Sequence, residues 1–131
     1  MDDELTKNIA GAVRVVAPDG LEVRILNRMK GGSMAEFRLG PLGVGRTIRH
    51  RTVEEIWFIT SGSGEIWRDG VEGGRPVALS PGVSVAVPPG TAFQVRAGSD
   101  GFAAVAITMP PWPGEDEAEL VPGRGPWVPE S

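Results

Sequence analysis

Between Val13 and Met109 the chain alternates short apolar runs with clusters of Gly and Pro. Leu21, Val23 and Ile25 share one face of an extended run, and Glu22 and Arg24 share the other. Ala35, Phe37 and Leu39 likewise oppose Met34, Glu36 and Arg38. A period of two with one apolar face is the pattern of a half-buried antiparallel sheet. It predicts strands over Val13–Val16, Leu21–Leu26, Ser33–Leu39, Arg46–Arg51, Glu55–Thr60, Glu65–Arg68, Pro76–Leu79, Val83–Val87, Ala92–Ala97 and Phe102–Met109. Pro18-Asp19-Gly20, Gly62-Ser63-Gly64, Pro81-Gly82, Pro88-Pro89-Gly90 and Gly98-Ser99-Asp100-Gly101 lie between these runs, where turns need a preset or positive φ. Asp69-Gly70, after Trp67-Arg68, predicts a tight type I′ hairpin turn. Only the first ten or so residues suit a helix, and a short one. Many short strands closely spaced mean an all-β sandwich or barrel.

Composition narrows the function classes. A chain of 131 residues makes one domain with one core. Thirteen Lys and Arg against 17 Asp and Glu give a net charge of −4, with no basic run. Nucleic acid, whose affinity comes largely from neutralised phosphates, is a poor prospect as a partner. There is no cysteine and a single histidine, His50, which excludes disulfides, thiolate sites and any machinery needing two imidazoles from one chain. The opening Met1-Asp2-Asp3-Glu4 has the wrong sign for a targeting peptide, and Phe102–Met109 is too short an apolar run to span a bilayer. The expected setting is cytoplasmic, without membrane contact. Residues 1–109 read as a barrel domain, with N-terminal strands over 12–30 and a motif region over 30–108. From Pro110 the composition changes, and residues 110–131 read as an extended Pro-rich tail. Its Trp112 and Trp127 either pack on the barrel or cap its mouth, and its acidic run from Glu115 to Glu117 reads as solvated. Arg46, Arg49 and Arg51 read as a solvated strand edge.

Two spaced segments carry a family resemblance. His50 is followed after four residues by Glu55, and Glu55 after six by Gly62. That spacing resembles the second half of the first cupin motif, with Ile48 at the first histidine position and Gly43 one residue too close. Gly82, Pro88 and Gly90 match the backbone punctuation of the second cupin motif, with Phe93 at its histidine position and Ala97 at its asparagine position. The resemblance implies a small antiparallel double-stranded β-helix, a cupin-like jelly-roll barrel with an interior pocket, that forms a homodimer. In metal-binding members three histidines and one glutamate hold Fe, Mn, Ni or Zn. Carried over, that set is Ile48, His50, Glu55 and Phe93. One imidazole and one carboxylate make at most a weak site, so no tightly bound cofactor is expected.

What remains is a polar corner in an apolar pocket. Under this alignment His50 and Glu55 start adjacent strands facing one cavity, within hydrogen-bond reach. Trp57 and Ile59 continue the face of Glu55, and Ile48, Phe93 and Val95 close the walls. Apolar walls with a few polar groups are the usual anatomy of a small-molecule site. A carboxylate on one imidazole nitrogen also raises the basicity of the other. Four readings follow: a barrel binding a small apolar or aromatic ligand; a metal-free isomerase, cyclase or lyase with His50 as acid or base oriented by Glu55; a metal-dependent dioxygenase or sugar isomerase with a reduced ligand set; and a structural barrel with a filled interior.

Overall fold

The computed structural model describes residues 5–129. Two 3-10 turns, Ile9–Gly11 and Glu72–Gly74, accompany strands β1 (Arg14–Val16), β2 (Glu22–Arg28), β3 (Ser33–Leu39), β4 (Ile48–His50), β5 (Glu54–Arg68), β6 (Val77–Leu79), β7 (Ser84–Val87), β8 (Phe93–Met109) and β9 (Ala118–Leu120). The expected N-terminal helix is only the Ile9–Gly11 turn, capped by Asn8, and residues 1–4 lie outside the described ones. No helix among the described residues is long and apolar enough to cross a membrane.

The strands form one curled antiparallel sheet. One path runs β1-β2-β3-β8-β4-β9, while β5 pairs with β6, β7 and β8. Two pairs of expected strands are in fact single long strands, β5 with 15 residues and β8 with 17. Gly62-Ser63-Gly64 does not reverse the chain; it places register shifts inside the β5–β8 ladder. Gly62 has φ 78°, and a Cβ there would overlap the Gly101 carbonyl oxygen, so only glycine lets the two strands pass so closely. The bend turns both strands around one core: Leu21, Ile48, Trp57, Ile59, Ile66, Val85, Phe93, Val95 and Phe102 are among its buried members. Asp69-Gly70 is a turn but not a type I′ hairpin. Asp69 is not among the residues with positive φ, and Trp67 and Arg68 pair with Gln94 and Phe93 of β8.

The C-terminal segment returns to the barrel. β9 adds to the edge of β4, with Ile48 opposite Leu120, Arg49 opposite Glu119 and His50 opposite Ala118. Arg49 pairs with Glu119 at 3.0 Å and stays exposed, in keeping with the solvated reading of this strand edge. Further on, Gln94 donates to the Trp127 carbonyl at 3.0 Å and Arg96 lies over the Trp127 ring at 4.6 Å. Glu117 is buried, contrary to the solvated reading of the acidic run. Its carboxylate accepts from the Val53 amide and the Thr52 hydroxyl, both at 2.8 Å, and so ties the segment to the β4–β5 connection.

Candidate functional site

β4, β5 and β8 carry the expected site residues into the buried interior. Burial alternates along β4 and along β5 from Glu54 to Ile59, as the two-residue period requires, whereas on β8 Phe93, Gln94 and Val95 are all buried. Ile48 and His50 come from β4, Glu55, Trp57 and Ile59 from β5, and Phe93 and Val95 from β8; all seven are at most 3% exposed. Ile48 sits opposite Phe93 in the ladder. The second motif's turn then fixes the first motif's histidine, because the Gly90 amide donates to the His50 carbonyl at 2.7 Å.

The polar pair differs in detail from the expectation. His50 Nε2 lies 3.8 Å from Glu55 Oε1, too far for a hydrogen bond. Glu55 is held instead by its own strand: the Trp57 indole N–H donates to Glu55 Oε1 at 2.8 Å. His50 Nδ1 is buried and has no hydrogen-bond partner. Around it stand aromatic edges, with Phe93 at 5.3 Å and Trp112 at 5.2 Å between ring centroids. Trp57 continues the cluster toward Phe37 at 5.1 Å and Phe93 at 6.1 Å. Trp112 is held by its backbone, its amide donating to Ser33 Oγ at 2.9 Å and its carbonyl accepting from Arg28 at 2.9 Å.

Burial sets the charge state of this corner. It pushes the His50 pKa down to about 4, only partly offset by the nearby Glu117 carboxylate. The expected gain in basicity is therefore absent. Burial pushes Glu55 up to about 8, against the indole N–H, with Asp19 adding to the rise. Burial also raises Asp19 to about 6, against its bond from the Leu21 amide at 3.1 Å and the charge of Arg46. At neutral pH the imidazole is neutral and Glu55 is mostly protonated. Glu117 shifts the other way. Burial works against it, but the bonds from Thr52 and Val53 prevail and hold it below the usual carboxylate range.

Sequence reasoning missed Asp19, Glu117 and the seating of Trp112 on His50. Pro18-Asp19-Gly20 explains itself as a turn, and nothing local shows that this aspartate is 6% exposed and close enough to act on Glu55. The donor set does not fit the four-ligand metal site. Two of its positions are Ile48 and Phe93, and among the described residues no three ligand-type side chains converge. The interior near His50 is occupied by rings. A cleft of about 630 Å³ opens elsewhere, bordered by Glu22, Glu36, Arg38 and Asp100 but by neither His50 nor Glu55. Its Glu22 and Glu36 are already paired with Arg24 and Arg38.

Comparison with known proteins places the barrel. No curated protein sequence matches the chain closely enough to stand as a relative. A nucleoside dehydratase, Pac13, superposes with a TM-score of 0.72 at 12% identity, over 90% of this chain and 91% of that one. KdgF from Halomonas sp. gives 0.61 at 19% identity, over 70% and 79% of the respective chains. An oxalate decarboxylase variant from B. subtilis gives 0.71 at 14% identity, over 92% of this chain and 34% of that longer one. At these identities the likeness is one of fold. The family model described as "Cupin domain" matches residues 35–110, the segment that holds both motifs with His50 and Glu55, and this chain belongs to the cupin family.

Proposed function

We propose that this cupin binds a small organic molecule at the His50–Glu55 corner, without a tightly held metal, and admits it at the end covered by Trp112. One observation carries the reading: a buried imidazole nitrogen with no partner, wrapped in aromatic rings. Buried polar atoms are otherwise almost always satisfied, and a ligand atom at His50 Nδ1 would satisfy this one. A dehydratase and a decarboxylase share the fold, which fits a small-molecule role without naming the molecule. The test is a thermal-shift and calorimetric screen of small aromatic and alicyclic compounds. A true ligand loses tenfold or more in affinity with His50→Ala, while that variant still unfolds cooperatively. A ligand bound equally well by the variant overturns the site.

A second reading has its own support. A neutral imidazole beside a protonated carboxyl is an acid–base pair whose pKa values are pushed apart, about 4 and about 8. Such a pair suits a metal-free isomerase, cyclase or lyase, with His50 as base and Glu55 as acid. Turnover of an identified ligand that survives His50→Ala would remove this reading and leave binding alone.

The same proposal includes a cytoplasmic setting and a homodimer. On the outer face, Met34 pairs with Ile107, Ile107 with Ile56, and Val105 with Phe58. Met34, Ile56, Phe58 and Ile107 are 37–51% exposed, although a solvated sheet face is normally polar. Beside this stripe Glu22, Arg24, Glu36 and Arg38 alternate in sign, so a second copy related by a two-fold axis can set acid against base. Wild type is expected to sediment as a dimer and Phe58→Glu as a folded monomer. A dimer unaffected by Phe58→Glu would place the contact elsewhere.

A further inference from the structure

The connection from β8 to β9, residues 110–117, is built differently from the barrel it crosses. Pro110, Pro111 and Pro113 flank Trp112, and each proline ring fixes its own φ, so this stretch is a stiff arm. Gly114 follows with φ 146°, a conformation that L side chains rarely adopt, and a Cβ there would meet nothing within 4 Å. A free joint therefore lies directly beside the arm. Beyond the joint Glu117 is buried, while its neighbours Glu115 and Asp116 are exposed.

Polar groups fasten this segment. The buried core of the barrel takes no member from it. Trp112, itself only partly buried, lays its ring against His50 and is pinned by backbone bonds to Ser33 and Arg28. Glu117 is held more firmly. Three consecutive amides of the β4–β5 connection donate to it: Arg51 to its carbonyl at 2.9 Å, and Thr52 and Val53 to its carboxylate. The Thr52 hydroxyl adds a further bond. Hydrogen bonds to an ionised carboxylate are about twice as strong as neutral ones. Water can still replace them, so a segment fastened this way opens locally at less cost than unfolding the core. The arm is tied to β8 at one end and to β9 at the other, so it lifts only when the chain beyond Gly114 gives slack. Glu117 takes up that slack, and it does so on the three residues next to His50 and before Glu55.

We propose, resting on the interior-site reading above, that residues 110–117 are a lid over His50, with Glu117 as its latch and Gly114 as its joint. Release of Glu117 lets the arm lift Trp112 off the imidazole while β9 stays on β4. Closing covers the ligand and holds the connection between His50 and Glu55 in place.

His50 is the chain's only histidine, so its reactivity reads the lid directly. Diethyl pyrocarbonate transfers an ethoxycarbonyl group to a neutral imidazole nitrogen and releases ethanol and carbon dioxide. Labelling of the tag-free full chain is followed by peptide mass mapping. Wild type should react slowly, at a rate nearly flat in low urea, because lid opening exposes little surface. A rate that rises about fivefold or more per molar urea would run through global unfolding and overturn the lid. Glu117→Gln sets an amide NH2 against a backbone N–H and should speed labelling about tenfold or more. Glu115→Gln removes the same charge from an exposed position of the same segment and should stay within about twofold of wild type. Urea unfolding shows whether each variant is folded. Should Glu117→Gln not fold, Thr52→Val removes the hydroxyl bond alone and should speed labelling about fivefold. An unchanged rate in the folded latch variant overturns the lid and leaves the interior site standing, since the compound screen against His50→Ala bears on that site separately. Equal acceleration by Glu115→Gln also overturns the lid, because lost charge and not the latch would be its cause. Wild-type labelling as fast as that of the urea-unfolded chain would mean that His50 is not covered at all, and overturns both readings.

Discussion

Trp57→Ala is expected to destabilise the barrel by about 3–5 kcal/mol, the range for an aromatic side chain deleted from a packed core. Trp57 is 1% exposed and touches the rings of Phe37, Phe93 and Phe102, so no neighbour can fill its space without leaving its own. Trp57→Phe separates packing from hydrogen bonding. It keeps most of the ring but removes the N–H that Glu55 Oε1 accepts. That single loss should cost about 1–3 kcal/mol, since it strands a buried acceptor. It should also push the Glu55 pKa further up, because the lost bond is the one that opposes burial. Urea unfolding of the three proteins measures both steps. A Trp57→Ala chain less than about 1 kcal/mol below wild type would mean that the interior is not close-packed at this ring.

Stability is expected to fall by about 2 kcal/mol between pH 6.5 and 8, and Glu55→Gln should abolish most of that fall. Glu55 has a folded pKa of about 8 against an ordinary 4.5. Between those values the folded chain keeps a proton that the unfolded chain has released. The contribution is therefore fully present below pH 4.5 and is lost as pH rises toward 8. Asp19 works in the same direction, but only up to its folded value of about 6. His50 works the other way. Its folded pKa of about 4 lies below 6.5, so it favours folding more strongly as pH rises through that range. The two trends oppose each other at mildly acid pH, and above 6.5 the Glu55 limb stands alone. Denaturation midpoints across that limb decide the matter. A flat wild-type profile would mean that Glu55 ionises in the folded chain near its ordinary pKa.

The linear pattern served best where the physics is local. The alternation of Glu55, Trp57 and Ile59 with Ile56 and Phe58 follows from the strand's two-residue period, and burial follows it residue by residue. The His50-to-Glu55 and Gly82-to-Gly90 spacings identified the cupin barrel because chain punctuation at fixed intervals constrains backbone paths. The pattern served less well at the glycine clusters. Gly62-Ser63-Gly64 looks like a chain reversal, yet it is a bend within one strand. A positive φ suits both, and only the partner strand across the ladder distinguishes them.

The sequence by itself determined the all-β class, the barrel family, the inward face of β5 and the loss of two metal-ligand positions, because these depend on side-chain identity and spacing along one segment. Tertiary structure alone decided the rest. It set His50 3.8 Å from Glu55 rather than in a hydrogen bond, and it left His50 Nδ1 unpartnered. It also buried Asp19 near Glu55 and folded residues 110–129 back to lay Trp112 on His50 and Glu117 on Thr52 and Val53. Apart from His50 and Glu55, which are five residues apart, these are meetings of residues distant in the chain, and their charge states follow from how much water the packing excludes.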